Sequence, residues 1–259
     1  MKTIISVTLV AFVAVCAGQT ANYCDPALCP NGGPHIACNG LTALASTCGA
    51  GSFEVVMNKT NQDVILEAHN KLRSKVATGQ EKNKLGAKFS AASRMGTLQW
   101  DAELASIAAA NARRCVYGHD VCRNTATLKY VGQNIAIKKY YGMTYTDTQI
   151  FNELVGNWYS EAENATVSVL ALYPKGYTGP VIGHFTQVVS DRTTKVGCAM
   201  VSYVVSPFTA KLLVCNYGFT NMVGLPIYVA GDACSKCTTG CSRTYPGLCN
   251  TGEDIKNGV

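Results

Sequence analysis

Apolar residues recur at helical spacing in three stretches and as strand-like runs in two, all in the middle of the chain. Asn61 reads as an N-cap, and after it Val64, Ala68, Leu72 and Val76 form one stripe at i, i+4 spacing. From Asp101, the residues Leu104, Ile107, Ala108 and Ala112 share a face before the chain reaches Cys115. From Asp147, the residues Ile150, Leu154, Trp158 and Glu161 align along one side. The stretches 195–205 and 211–219 are rich in Val, Leu and Tyr, and Ser206-Pro207-Phe208-Thr209-Ala210 joins them, which predicts an antiparallel hairpin. Cys198 and Cys215 fall at nearly mirror-related positions about that turn and are placed to bridge the strands. Helices interleaved with an antiparallel sheet predict an α+β fold or a three-layer sandwich.

The ends of the chain follow other rules. Met1-Lys2-Thr3 precedes an apolar run that closes on Val15-Cys16-Ala17-Gly18, the pattern of a secretory signal peptide over 1–18. Its roughly 14 apolar residues fall short of the ~20 a membrane span needs, and no later segment is long and apolar enough to be a transmembrane segment. Removing Cys16 from the 13 cysteines leaves an even number, which suits full pairing in an oxidising compartment. Residues 19–57 hold Cys24, Cys29, Cys38 and Cys48 among Pro, Gly and Asn and lack the periodicity to make a core, so this extension must be stapled to something else. Residues 58–230 form the main domain, with Cys115, Cys122, Cys198 and Cys215. Residues 231–259 are a tail in which Cys234, Cys237, Cys241 and Cys249 pair among themselves in one of three ways. The Cys234-Ser235-Lys236-Cys237 spacing reads as structural disulfides rather than a zinc or redox motif outside a reducing compartment.

Composition narrows the function. With 47% hydrophobic and 15% charged residues the chain builds a core, which excludes global disorder. The net charge of +6 is spread without a run of Lys or Arg, which argues against nucleic acid as a partner. Asn58-Lys59-Thr60 and Asn164-Ala165-Thr166 are glycosylation sequons. Of the four histidines, His35 reads as an exposed loop residue and His69 as a hydrogen-bonded structural residue of the first helix. His119 and His184 stand apart, each in a polar segment beside glycine, which lets backbone approach and exposes the ring. Neither belongs to a compact metal motif such as HExxH.

Gly183-His184-Phe185-Thr186-Gln187-Val188-Val189, then Val196-Gly197-Cys198-Ala199, then Val214-Cys215-Asn216-Tyr217-Gly218 resemble in order the signature segments of the CAP superfamily of cysteine-rich secretory proteins, antigen 5 and pathogenesis-related proteins. Ala68-His69-Asn70-Lys71-Leu72-Arg73 resembles its first-helix motif, Gly132-Gln133-Asn134-Ile135-Ala136 its Gly-Glu-Asn motif, and Trp158-Tyr159-Ser160-Glu161 its third-helix motif. The cysteines of the extension resemble those of the arthropod antigen 5 branch. That resemblance implies an α-β-α sandwich and the bridges Cys24–Cys38, Cys29–Cys122, Cys48–Cys115 and Cys198–Cys215. It also implies a central cleft lined by His119, His184, Glu161 and, where the family carries an acid, Gln133.

Two imidazoles and a carboxylate can hold Zn²⁺, so the resemblance implies His119, His184 and Glu161 as metal ligands. Gln133 accepts and donates hydrogen bonds but takes up no proton, which weakens general acid–base chemistry. No activated nucleophile is evident, and Ser160 and Ser190 read as capping or solvated serines. The expectation is a secreted, extracellular, non-enzymatic binder with no required cofactor, of the kind found in venom and in the saliva of blood-feeding arthropods. Its expected partners are a lipid or biogenic amine and host proteins, including IgE for an allergen. Two other readings stand beside it: a metal-dependent hydrolase or protease using His119, His184 and Glu161, and a structural or immune protein without a small ligand. For an amphiphile, the alanines at 105, 108, 109, 110 and 112 offer either a groove or tight helix packing. No Arg-Gly-Asp tripeptide is present.

Overall fold

The first helix starts earlier than its apolar periodicity predicts. In the computed structural model, which describes residues 21–255, α1 spans Lys59–Ala77 and its N-cap is Asn58 rather than Asn61, the Asn58 side chain accepting from Asn61 N–H. The expected leader, 1–18, lies outside the described residues. The buried face of α1 is also turned from the expected one. It carries Ile65, His69, Asn70, Arg73, Val76 and Ala77, while Val64, Ala68 and Leu72 sit half-buried at its margin. Apolar patterning misreads this face because three of its members are polar. Arg73 stays buried because Nη1 donates to the carbonyls of Val188 and Ser190, both at 2.8 Å, and Nη2 to those of Gly96 at 2.7 Å and Thr193 at 3.2 Å.

The second helix, α2, spans Ala102–Ala112 and is capped by Asp101, whose side chain accepts from Leu104 N–H. It ends where the chain turns through a left-handed Cys115, φ 53°. A capping box between Thr146 and Gln149 opens α3, Asp147–Ser160, and two short helices follow, α4 at Val167–Ala171 and α5 at Gly183–Val188.

The strands are β1 (Phe53–Val55), β2 (Gln99–Trp100), β3 (Gly132–Tyr140), β4 (Lys195–Val205) and β5 (Phe208–Tyr217). They form one sheet in the order β1-β4-β5-β3, antiparallel throughout, with β2 parallel to the start of β4. Only Ser206 and Pro207 connect β4 to β5, so 208–210 belong to the second strand and not to the expected longer loop. The strand β3 is new relative to the sequence reading: its apolar residues are interrupted by Gln133, Asn134, Lys138 and Lys139, yet it pairs with β5 from Gly132↔Tyr217 to Tyr140↔Thr209.

Both faces of the β4–β5 hairpin are covered, which is why its strands read as near-continuous apolar runs. Cys198, Met200, Leu213, Cys215 and Tyr217 point to one side and join α1, α3 and α5 in the main core. Ala199, Val201, Tyr203, Leu212 and Val214 point to the other and meet Ala108, Ala109 and Ala112 of α2. The result is the three-layer α-β-α sandwich. Contact is tightest at Gly197, where a Cβ would lie 2.2 Å from Ala105 N and 2.3 Å from Asp101 O, so any side chain there would push α2 off the sheet.

Disulfides hold what the core does not. Cys24 pairs with Cys38, Cys29 with Cys122, Cys48 with Cys115 and Cys198 with Cys215. The Cys29 and Cys48 bridges tie the coreless extension to the chain after α2, and at sequence separations of 93 and 67 each is worth about 4–5 kcal/mol in chain-entropy accounting. In the tail Cys234 pairs with Cys241 and Cys237 with Cys249. This tail is docked, not free: Leu248 is buried in the main core, Cys249 N–H donates to Met95 O at 2.8 Å, and Thr97 N–H donates back to Cys249 O at 3.1 Å.

Candidate functional site

Glu161 lies in the 3₁₀ turn that ends α3, and His184 is the second residue of α5. One oxygen of Glu161 accepts from the backbone N–H of His184 at 2.9 Å and of Phe185 at 3.1 Å, and the other accepts from His184 Nδ1–H at 2.6 Å. The carboxylate thereby fixes the start of α5 and the ring tautomer together, leaving Nε2 with a lone pair. Trp158 stacks near that ring, centroids 6.3 Å apart.

His119 follows the second helix in a loop and reaches β3, where Nδ1–H donates to Gln133 Oε1 at 2.7 Å. The amide's orientation follows from its other end: Gln133 Nε2 donates to Asp120 Oδ2 at 2.7 Å and to Asn216 Oδ1 at 3.0 Å. Asp120 is itself buried and saturated, taking Asn111 Nδ2 on Oδ2 and Arg123 Nε on Oδ1, each at 2.6 Å. His119 Nε2, like that of His184, therefore keeps its lone pair.

His119, His184 and Gln133 meet in one cleft of about 290 Å³, with Asn134, Gln187 and Asn221 on its walls. Glu161 stands behind His184 as the group that orients it. Among the described residues no cluster of three or more His, Cys, Asp or Glu side chains is arranged to hold a metal ion. Two imidazoles with Nδ1 held by oxygen acceptors and Nε2 available are the donor set for a divalent cation whose other positions go to water.

The remaining motif residues form a buried network behind the cleft. Asn134 Nδ2 donates to the Tyr217 hydroxyl at 3.3 Å, that hydroxyl donates to His69 Nε2 at 2.8 Å, and His69 Nδ1–H donates to Ile65 O at 2.8 Å. Burial holds the His69 pKa down at about 4 and pushes the Tyr217 hydroxyl far above its ordinary value, so both stay neutral. His69 is structural, as expected. His35 is not the exposed loop residue the sequence predicts. It is buried, stacked on Tyr23 with centroids 4.9 Å apart, and its Nε2–H donates to Asn124 O at 2.7 Å.

Asp120, Asn111 and Asn216 were not singled out by the sequence, although Asp120 directly follows His119 and Asn216 lies within the Cys-Asn-Tyr motif. Ser160 is exposed and makes no side-chain capping bond at the 3₁₀ turn it opens; its hydroxyl donates to Asn157 O, three residues back in α3. The sequon residue Asn58 is exposed at the α1 cap, and Asn164 is half-buried, its Oδ1 taking Lys84 Nζ at 3.0 Å. The alanines of α2 divide between the two expected roles. Ala108, Ala109 and Ala112 pack on the sheet, and Ala102, Ala105 and the outer edge of Ala109 line an open groove of about 530 Å³ against Val55, Val56 and Met57.

Residues 66–217 match the model of the cysteine-rich secretory protein family, CAP. The chain is 42% identical to Venom allergen-1 of Aedes albopictus over 252 residues, 97% of this chain and 94% of that one. It is 43% identical to Venom allergen-1 of Aedes aegypti over 237 residues, 92% and 90% of the two chains. Its structure resembles the crystal structure of NaASP2 with Zn²⁺, with a TM-score of 0.63 and 31% identity over 74% of this chain and 96% of that one. The chain belongs to the cysteine-rich secretory protein (CAP) family, in the branch of the insect venom allergens and antigen 5 proteins.

Proposed function

We propose that the protein is a secreted binding protein that does not turn its ligand over. One observation carries this reading: the two carboxylates that stand behind the central cleft have every oxygen engaged. Glu161 has each oxygen engaged by His184 or the α5 backbone, and Asp120 has each oxygen engaged by Asn111, Gln133 or Arg123. Neither carboxylate is free, Gln133 carries no charge, and all cysteines of the described residues are in disulfides, so the cleft offers two imidazoles but no free carboxylate beside them and no thiol nucleophile. Secretion is supported by the leader pattern of 1–18 and by six disulfides of the kind that persist in an oxidising compartment. Its ligands are small amphipathic molecules, a lipid or a biogenic amine, or host proteins. Export in saliva or venom and recognition by IgE accord with the relatives' names.

His119 and His184 would hold Zn²⁺ through their Nε2 atoms, with Gln133 and Glu161 as the acceptors that set their tautomers. The bound ion would supply a Lewis-acidic point for an anionic ligand group. Native protein taken from its source and examined by mass spectrometry is expected to carry a bound small molecule. Calorimetry is expected to show Zn²⁺ binding that the His119→Ala/His184→Ala double variant loses. Hydrolysis of an ester or peptide that disappears in that variant would overturn the reading in favour of the hydrolase. Protein that is empty from its source and binds neither metal nor amphiphile would favour the structural or immune role.

A further inference from the structure

A second cavity, of about 340 Å³, opens beside the central cleft. One wall is residues 34–41 of the stapled extension, and the other is Ala110, Arg114 and the 119–121 loop. His119 belongs to both spaces, but the second is built on the extension. Its volume lies in the usual range for small-molecule sites, about 300–1,000 Å³. The extension wall is held in place by the Cys24–Cys38 and Cys29–Cys122 bridges and by Arg113 Nη1, which donates to Leu41 O at 3.0 Å.

The charged and titratable groups on these walls are His35, Arg114, His119 and Asp120. Asp120 has both oxygens engaged, by Asn111 and Gln133 on Oδ2 and by Arg123 on Oδ1. His35 has both ring nitrogens used, Nε2 toward Asn124 O at 2.7 Å and Nδ1 accepting from Ala37 N–H at 3.1 Å. His119 has Nδ1 on Gln133. Arg114 differs. Its Nε donates to Asn111 O at 3.4 Å, and its Nη2 to Asn111 Oδ1 at 3.3 Å and Gly118 O at 2.8 Å, while Nη1 has no partner among the described residues. The remaining wall combines the apolar Pro34, Ile36, Leu41, Ala110 and Val121 with Cys38, Asn39 and Gly40.

Among the described residues, the unpaired polar side-chain groups on these walls are the neutral Asn39 side chain, His119 Nε2 and the Arg114 Nη1–H; the guanidinium is the one unpaired cationic donor among them, and it favours an anionic head on an apolar body. We infer that this pocket is a ligand site distinct from the central cleft and that it takes a small amphipathic carboxylate, the head on Arg114 and the chain against Ile36, Leu41 and Val121. This inference rests on the binding reading above and names a ligand class for it.

The test is calorimetric titration of the full chain with decanoate and, as a charge-reversed control, decylamine. Decanoate is expected to bind and decylamine to bind more weakly. Arg114→Gln is expected to lower decanoate affinity about tenfold or more, the value of a hydrogen bond to a charged group. Val121→Glu, at a side chain 71% exposed and therefore safe for folding, is expected to weaken decanoate in the same direction by placing a carboxylate at the mouth. Equal decanoate affinity in wild type and Val121→Glu overturns the assignment, as does decylamine binding as tightly as decanoate. Absence of decanoate binding to the wild type overturns it too, while the general binding reading is then decided separately by the Zn²⁺ titration and by what the native protein carries.

Discussion

Restoring the acid of the Gly-Glu-Asn motif, Gln133→Glu, is expected to harm this protein. In the wild type Gln133 Nε2 donates to Asp120 Oδ2 at 2.7 Å and to Asn216 Oδ1 at 3.0 Å, while Oε1 accepts from His119. Glutamate keeps the acceptor but replaces the donor with an anionic oxygen that faces a carboxylate and a carbonyl. Two unit charges about 4 Å apart repel by about 4 kcal/mol at an effective dielectric constant near 20. The lost donor to a charged group adds about 1.5–3 kcal/mol. Arg123, already on Asp120, and His119, now beside an anion, offset part of this. The net loss of stability at pH 8 is expected to be about 3 kcal/mol.

The sign of its pH dependence follows from linkage. The folded variant relieves the repulsion by holding a proton that the unfolded chain releases near a carboxyl pKa of about 4.3. Its folded-state affinity for that proton is raised, so the deficit against wild type is small near pH 4 and grows as the pH rises through the folded value. Urea unfolding with disulfides intact, at pH 5 and pH 8, measures both terms. The Asp120→Asn/Gln133→Glu double variant is expected to be more stable at pH 8 than the sum of its single changes implies, because the two anions no longer meet. A deficit that is the same at both pH values, or strict additivity of the two substitutions, would refute the reasoning.

Two further outcomes bear on the core. Arg73→Met leaves the carbonyls of Gly96, Val188, Ser190 and Thr193 without their donor and is expected to cost about 3–5 kcal/mol by urea unfolding; a loss under about 1 kcal/mol would show that the guanidinium is dispensable. Burial keeps the His69 pKa at about 4 when folded, below the ordinary 6.5, so the unfolded chain binds the extra proton between those values. Stability is full above pH 6.5 and falls toward pH 4, by about 3 kcal/mol from His69 alone, with His35, also held low by burial, acting in the same direction. His69→Gln is expected to flatten most of that slope, and a wild type whose stability does not change across the window would contradict it.

Much of the fold was legible where one chemical signal dominated. Asp101 precedes an apolar face and caps α2, Asp147 opens α3, and the mirror placement of Cys198 and Cys215 about a turn became a cross-strand bridge with Cα atoms 4.1 Å apart. Legibility failed where polar residues are buried. Ile65, His69 and Arg73 form the inner face of α1 because carbonyls and a tyrosine hydroxyl satisfy the polar members, a compensation invisible to apolar periodicity. The same holds for β3, whose Asn134 and Gln133 point into hydrogen-bonded company, and for His35, buried against Tyr23 by bridges that close far along the chain.

The candidate site divides along the same line. The motifs identified His119, His184, Glu161 and Gln133 as neighbours, and the structure joins them in two pairs, each an imidazole with an oxygen acceptor. Read alone, Gln133 is an acid that has gone missing. In the folded protein the position touches Asp120, whose other donors are Asn111 and Arg123, so an amide there supplies one more N–H to a buried carboxylate while still holding the histidine ring. The charge absent from position 133 stands beside it at Asp120, turned inward and spent on structure. The cleft therefore keeps two oriented imidazoles, while the two neighbouring carboxylates are engaged in orienting His184 with the start of α5 and in the Asp120 network.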